Sequence, residues 1–289
     1  MRGRFSMFTT PQTITDVPKI CIHKYLKHCK TNPQPPGFGD FIRGTIALFY
    51  FSKKYNYELL VDDEHEIFRN LKQHKSFTNN HLMRTLEFLP PQSYHTIYNN
   101  IDRLFSTNQS CCVMTNSFYL NKQGILENWG DITDECRTFM RELLTPNQKI
   151  TDNIDFIFNR LAINPANGYN VIHLRLGDRF LHNDHIEDGL LQTIIQKINT
   201  LNRGAQYILL SDSASMAMEI VNKFPSIFYW NGKKIHIGDL KNNENVDFAV
   251  TDTMTDFFIM SKCKKIYYYS DSGFSKAASL IFDKKYLQL

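Results

Sequence analysis

The chain has 289 residues, 42% of them hydrophobic and 21% charged, with 33 Lys and Arg against 29 Asp and Glu for a net charge of +4. This describes a globular chain with a substantial core, long enough for two ordinary domains or one large one, and it excludes disordered and collagen-like classes. The positive charge is spread rather than clustered, so a nucleic-acid partner is not expected.

No apolar run approaches the roughly 18–20 residues of a membrane span. The stretch from Met1 to Pro11 has no apolar segment of the kind a secretory signal carries. Six cysteines, Cys21, Cys29, Cys111, Cys112, Cys136 and Cys263, form no CxxC pair, and the neighbours Cys111 and Cys112 are poorly placed to bridge each other. Buried free thiols and a cytoplasmic location are the expectation.

In chain order, Lys19 to His23 and Tyr57 to Val61 read as strands. Between them a helix is predicted from Phe38 to about Lys54, with Phe38, Phe41, Ile42, Ile46, Phe49 and Tyr50 on one stripe. The segment from Glu64 to Asn108 reads as helices and loops of weak periodicity. A helix over Ile150 to Leu161 leads to Asn164-Pro165-Ala166-Asn167-Gly168, the best candidate for a domain boundary. Beyond it, strands are predicted at Tyr169–Leu174, Gln206–Leu210, Ile227–Trp230 and Lys265–Tyr269. Helices are predicted near Gly189–Leu201, Ala214–Lys223, Thr253–Lys262 and Phe274–Phe282. Such alternation predicts an α/β chain with parallel sheets, and two Rossmann-like halves around a cleft.

Three segments carry chemistry. Gly37-Phe38-Gly39-Asp40-Phe41-Ile42-Arg43-Gly44 joins a strand to a helix. Its glycines allow close backbone approach and the helix start offers free N–H groups, although an ordinary turn capped by Asp40 would look the same. His173-Leu174-Arg175-Leu176-Gly177-Asp178 ends a buried strand, where alternation puts His173, Arg175 and Gly177 on one side. An arginine there can grip a diphosphate in bidentate fashion, or it can simply pair with Asp178 beside a core histidine. Tyr269-Ser270-Asp271-Ser272-Gly273-Phe274-Ser275 again runs from strand to helix as an anion site, or with Asp271 or Ser272 as a plain N-cap.

His182-Asn183-Asp184-His185 resembles a fragment of a metal site, but a solvated or substrate-facing loop is the better reading. There is no Asp-x-Asp pair, P-loop, Gly-x-Ser-x-Gly elbow or Gly-x-Gly-x-x-Gly, which argues against an NTPase, an α/β-hydrolase and a common dehydrogenase.

In order and spacing these segments resemble the fucosyltransferase superfamily, comprising α-1,2-, α-1,6- and protein O-fucosyltransferases. Gly37-Phe38-Gly39-Asp40 with Tyr57 to Asp62 is similar to the family's opening helix and second strand. His173-Leu174-Arg175-Leu176-Gly177-Asp178 matches its His-x-Arg-x-Gly-Asp motif. Ile208 to Asp212 resembles its strand ending in Ser-Asp. Asp256 to Cys263 and Ser272-Gly273-Phe274-Ser275 resemble its closing signature. Residues 64 to 165 carry none of the resemblance. Lys276-Ala277 stands where α-1,2 enzymes have tryptophans, Asp40 stands where many members have asparagine, and Arg175 is followed by Leu176 where several have a second arginine.

The resemblance implies a GT-B fold with two Rossmann-like domains facing a central cleft, an acceptor-side domain over 1–165 and a nucleotide-sugar domain over 166–289. It implies an inverting glycosyltransferase that moves fucose from GDP-fucose onto a glycan hydroxyl, with no metal and no other cofactor. A different sugar nucleotide, such as a xylosyl donor, or a non-catalytic nucleotide- or sugar-binding module are the alternatives. Arg175 would grip the β-phosphate. Gly37, Gly39, His173, Asp256, Asp271, Ser272, Gly273, Phe274 and Ser275 would hold the donor, with Arg43 and Asp184 on the acceptor side. Asp40 is the expected general base and Asp178 the group that orients Arg175.

Overall fold

A computed structural model describes residues 19–25, 37–62, 64–72, 84–87, 94–107, 109–114, 129–235, 237 and 246–289. The segment from Met1 to Pro11 and Cys29 lie outside the described residues.

The first half runs β1 (Lys19–Lys24), α1 (Phe38–Tyr55), β2 (Tyr57–Val61), β3 (Arg84–Glu87), α2 (Tyr94–Ser106), β4 (Cys111–Met114), α3 (Asp134–Leu143) and α4 (Gln148–Arg160). The second runs β5 (Asn170–Leu174), α5 (Asp178–His182), α6 (Asp188–Ile198), β6 (Tyr207–Ser211), α7 (Ala214–Lys223) and β7 (Ile227–Tyr229). It closes with α8 (Val246–Lys262), β8 (Lys265–Tyr268), α9 (Gly273–Ile281) and β9 (Lys285–Gln288). The loop at Asn164 forms a 3-10 turn over Pro165–Asn167, with the Asn164 side chain accepting from the Ala166 N–H.

Two parallel sheets result, in the orders β2-β1-β4-β3 and β7-β6-β5-β8-β9. Each has a switch point where the chain changes direction across the sheet, between β1 and β4 in the first and between β5 and β8 in the second. Ligands of open α/β sheets bind at the carboxyl ends of strands at such points. All five residues of β5 are buried, as expected of a strand covered on both faces. Its alternation divides the core. Ile172 and Leu174 face Leu191 and Ile194 of α6 and Met216 and Ile220 of α7, whereas Val171 faces the larger cluster that includes α8 and α9.

Helix α1 departs from the single apolar stripe that its spacing predicts. It is buried almost all round, from Phe38 through Phe51, because it packs on β2, α2, α3 and α9. It therefore joins the two sheets. Asn56 ends it in the left-handed conformation, with φ 58°, and Lys53 and Lys54 in its last turn suit the helix dipole.

Two further differences have physical causes. Between Glu64 and Asn108 the sequence suggests only helices and loops, yet β3 lies there, and β4, just beyond that segment, pairs directly with β1 through Cys21 and Cys111. A four-residue strand is too short to show periodicity. Helix α8 starts at Val246, two turns before the predicted Thr253, because Thr251, Thr253 and Thr255 return their hydroxyls to the carbonyls of Asp247, Ala249 and Thr251 at 2.6–2.8 Å. Such back-bonding hides polar β-branched residues inside a helix. Among the described residues the cysteines Cys21, Cys111, Cys112, Cys136 and Cys263 are buried free thiols, and no helix is long and apolar enough to cross a membrane.

Candidate functional site

The chain leaves β5 through His173, Arg175 and Gly177. Gly177 has φ +116°, a conformation that L side chains rarely adopt, and it turns the chain sharply into α5. Arg175 forms ion pairs with two carboxylates, Asp178 three residues on and Asp212 just past the end of β6. These partners are unequal. The Asp212 side chain is 5% exposed and that of Asp178 54%. Asp212 also accepts from the backbone N–H groups of Leu176 and Gly177 at 2.8 and 3.0 Å. The Ser270 hydroxyl donates to the Arg175 carbonyl, which ties the end of β8 to the same loop. Asp212 is thus the principal anchor of Arg175, where the spacing points to Asp178.

Opposite this loop two helix starts meet. Gly37 and Ser272 are the N-cap residues of α1 and α9, and neither helix has a side-chain cap. Ser272 thus holds the N-cap position expected of it but supplies no side-chain cap, and neither Asp40 nor Asp271 is an N-cap residue. The helices approach so closely that a Cβ added at Gly39 would lie 2.3 Å from the Gly273 carbonyl carbon and 2.7 Å from the Phe274 nitrogen. A helix start supplies unpaired N–H groups and the positive end of a dipole. Two of them side by side, next to an arginine, have the donors and the charge to hold an anion. Gly39→Ala is expected to destabilise the chain by about 1–3 kcal/mol through overpacking against rigid backbone. Gly273→Ala is a milder control, because its added Cβ meets nothing closer than Trp129 at 3.5 Å. Chemical denaturation of the two variants checks this.

A deeper part of the same cavity holds a buried ion pair. The Lys234 ammonium lies 2.8 and 2.7 Å from the two carboxylate oxygens of Asp256. Burial pushes the Asp256 carboxyl up, against the Lys234 charge that holds it down. His173 is buried and its Nδ1 has no hydrogen-bond partner. Desolvation, then the Arg175 and Lys234 charges, push its imidazole down to about 3. The neutral ring is therefore the native form. Between about pH 6.5 and 3 the unfolded chain binds a proton at His173 that the folded chain does not, so stability falls as pH drops through this window. Wild type is expected to lose on the order of 1 kcal/mol more per pH unit than His173→Gln over that range, read as the pH dependence of denaturation midpoints.

The cavity, of about 310 Å³, is within the usual range for small-molecule sites. It brings together Gly37, Gly39, Asp40, His173, Arg175, Asp256, Asp271, Ser272, Gly273 and Phe274 from four separate stretches of sequence. Ser275 is not in the lining. It is fully buried, with its hydroxyl 3.1 Å from the Tyr286 hydroxyl of β9, and so supports the loop from beneath. Arg43 is also off the lining, buried with its guanidinium 3.0 Å from Asp40 and 5.5 Å from the Trp129 ring centroid. Asp184, expected to face an acceptor, instead holds the start of α7. Its carboxylate accepts from the Ser213 hydroxyl at 2.6 Å and from the Ser215 N–H and hydroxyl at 2.9 Å. His185 stacks on Phe180. Among the described residues no group of three or more His, Cys, Asp or Glu is placed to hold a metal ion.

Sequence reasoning missed Lys234 altogether and assigned Asp212 no part. Asp212 had a visible signal, since a Ser-Asp at a strand's carboxyl end lies beside the neighbouring strand's loop. Lys234 had none, because its partner is 22 residues away.

No protein-family model matches the chain, and no curated protein matches it in sequence. Solved structures do. NodZ alpha-1,6-fucosyltransferase, soaked with GDP-fucose, superposes with a TM-score of 0.56 at 12% identity over 92% of this chain and 93% of that one. NodZ has also been solved as the Bradyrhizobium enzyme. Arabidopsis thaliana FUT1, as a mutant in complex with GDP, gives 0.53 at 11% identity over 94% of this chain and 70% of its own. POFUT1 in complex with GDP-fucose gives 0.50 at 12% identity, covering 96% and 99%. The chain has the mixed α/β, parallel-sheet fold of these fucosyltransferases.

Proposed function

We propose that the chain is a glycosyltransferase that moves a sugar from a nucleotide-sugar, GDP-fucose, to a hydroxyl of a glycan, with inversion and without a metal. We further divide it into an acceptor-side domain over 1–165 and a donor domain over 166–289, in the GT-B manner. One observation carries the reading. Arg175 and the uncapped starts of α1 and α9 line one cavity at the second sheet's switch point, and together they can hold a diphosphate without a cation. The structural neighbours crystallised with GDP-fucose support the same donor.

In this reaction the acceptor oxygen attacks the anomeric carbon as the bond from that carbon to the β-phosphate oxygen breaks. The electron pair leaves with the nucleoside diphosphate, whose growing charge meets Arg175 and the helix N–H groups. Entry of the diphosphate displaces Asp178, the exposed partner of Arg175, and leaves Asp212 in place. The acceptor proton passes to Asp40. Both Asp40 and Asp178 have an arginine partner, so pairing does not separate them. Position does, since Asp40 lines the cavity and Asp178 does not.

The test is transfer from GDP-fucose across a panel of glycan acceptors, with excess chelator throughout. Full activity with chelator is expected, and Asp40→Asn is expected to lose about 10²-fold or more in turnover while still binding GDP. Transfer that chelator abolishes and a divalent metal restores would overturn the metal-free mechanism. Near-normal turnover of Asp40→Asn would remove Asp40 as the base.

A further inference from the structure

We propose that Arg137 and Arg141 of α3 are positioning residues for the diphosphate. By holding the carboxyl end of α9 they fix where its open amino end points in the cavity. This rests on reading the cavity as a nucleotide-sugar site.

Helix α9 is closed at one end and open at the other. The last four carbonyls of a helix need partners beyond it, and those of α9 all have one. The Phe282 N–H donates to the Ala278 carbonyl at 3.1 Å and the Lys284 N–H to that of Ser279 at 2.8 Å. The other two are satisfied from α3, in the first half of the chain. The Arg137 guanidinium donates to the Leu280 carbonyl at 3.1 Å and the Arg141 Nε–H to that of Ile281 at 2.8 Å. At the amino end Ser272 supplies no side-chain cap, and Ser272, Gly273 and Phe274 line the cavity. The unpartnered Nδ1 of buried His173 is a further polar atom in that lining that a ligand would satisfy.

Two cations at the carboxyl end offset the negative pole of the helix and leave the positive pole facing the cavity. They also act as a mechanical stop. Helix α9 has nine residues and is roughly 14 Å long, so a shift at one end is felt at the other. The contact at Gly39 sets how near α1 and the start of α9 can come, and the two arginines set where the far end rests. Hydrogen bonds from helix N–H groups to an anion weaken steeply away from about 3 Å and a straight geometry, so the placement of α9 decides how well it holds a diphosphate. Both arginines lie in the stretch from 64 to 165 that carries none of the family resemblance, and no motif signals them.

Calorimetric titration of the full chain with inorganic pyrophosphate and with GDP, alongside urea denaturation, tests the proposal. Replacing both arginines, Arg137→Met with Arg141→Met, keeps the apolar stems and removes the donors. Affinity for both ligands should then fall roughly threefold to tenfold. Arg137→Lys with Arg141→Lys, which keeps a charge and a donor at each position, should recover most of that loss. Arg141→Met alone leaves the Arg137 contact and should show a smaller loss in the same direction, so the comparison survives if the double variant does not fold. Ile154→Val trims a buried residue of α4 and lowers stability by another route; it should bind both ligands as wild type does. Methionine variants that bind pyrophosphate as wild type does overturn the proposal, leave the arginines a structural role only, and leave the nucleotide-sugar reading standing. Equal weakening in Ile154→Val also overturns it, because general loosening then explains the effect. Wild type that binds neither ligand overturns both readings.

Discussion

Arg175→Lys is expected to lower turnover on the order of 10²–10³-fold, about 3–4 kcal/mol of transition-state stabilisation, with the fold intact. Lysine preserves the charge, so Asp212 keeps an ionic partner and the buried carboxylate is not stranded. It lacks the planar fork of donors that can hold Asp212 and a phosphate oxygen together. The loss should fall on turnover more than on affinity for GDP, because charge on the leaving group is greatest at the transition state. Steady-state kinetics with GDP-fucose alongside thermal unfolding checks this. Wild-type turnover at wild-type stability would remove Arg175 from the mechanism proposed here.

Asp212→Ala is expected to be the more damaging change to the fold, costing about 3 kcal/mol. Removing the buried carboxylate leaves Arg175 with only its exposed partner Asp178, and the Leu176 and Gly177 N–H groups also lose their acceptor. The turn that presents Arg175 then loses its anchor, so turnover should fall with stability. Asp178→Ala is the comparison. Its side chain is largely solvated, and such an exposed pair contributes about 0–1 kcal/mol. Urea denaturation of the two variants separates them, and equal losses would mean that Asp178 shares the anchoring.

How far the site was legible depended on whether its partners were local. His173, Arg175 and Gly177 follow from strand alternation alone, and the glycine-rich starts of α1 and α9 from the composition of a strand-to-helix turn. Asp40 and Arg43, three residues apart on one helix, were likewise readable as neighbours. Ser275 was misplaced for a local reason, since its motif says nothing about which side of the helix start faces the cavity. It lies against Tyr286, on an edge strand too short and polar to be predicted.

The sequence by itself determined the alternation of strands and helices in the second half, the buried character of β5, and the three segments that carry polar chemistry. Those features rest on period and composition within a dozen residues, where side-chain direction follows from backbone geometry. Only the tertiary structure decided which segments share a cavity, since that depends on the order of strands within each sheet and on two glycines letting α1 and α9 touch. It also chose the partners, giving Arg175 to Asp212, Asp256 to Lys234, and Asp184 to the start of α7. A buried charge takes whichever opposite charge or N–H the fold brings within 3 Å, and separation along the chain carries no trace of that distance.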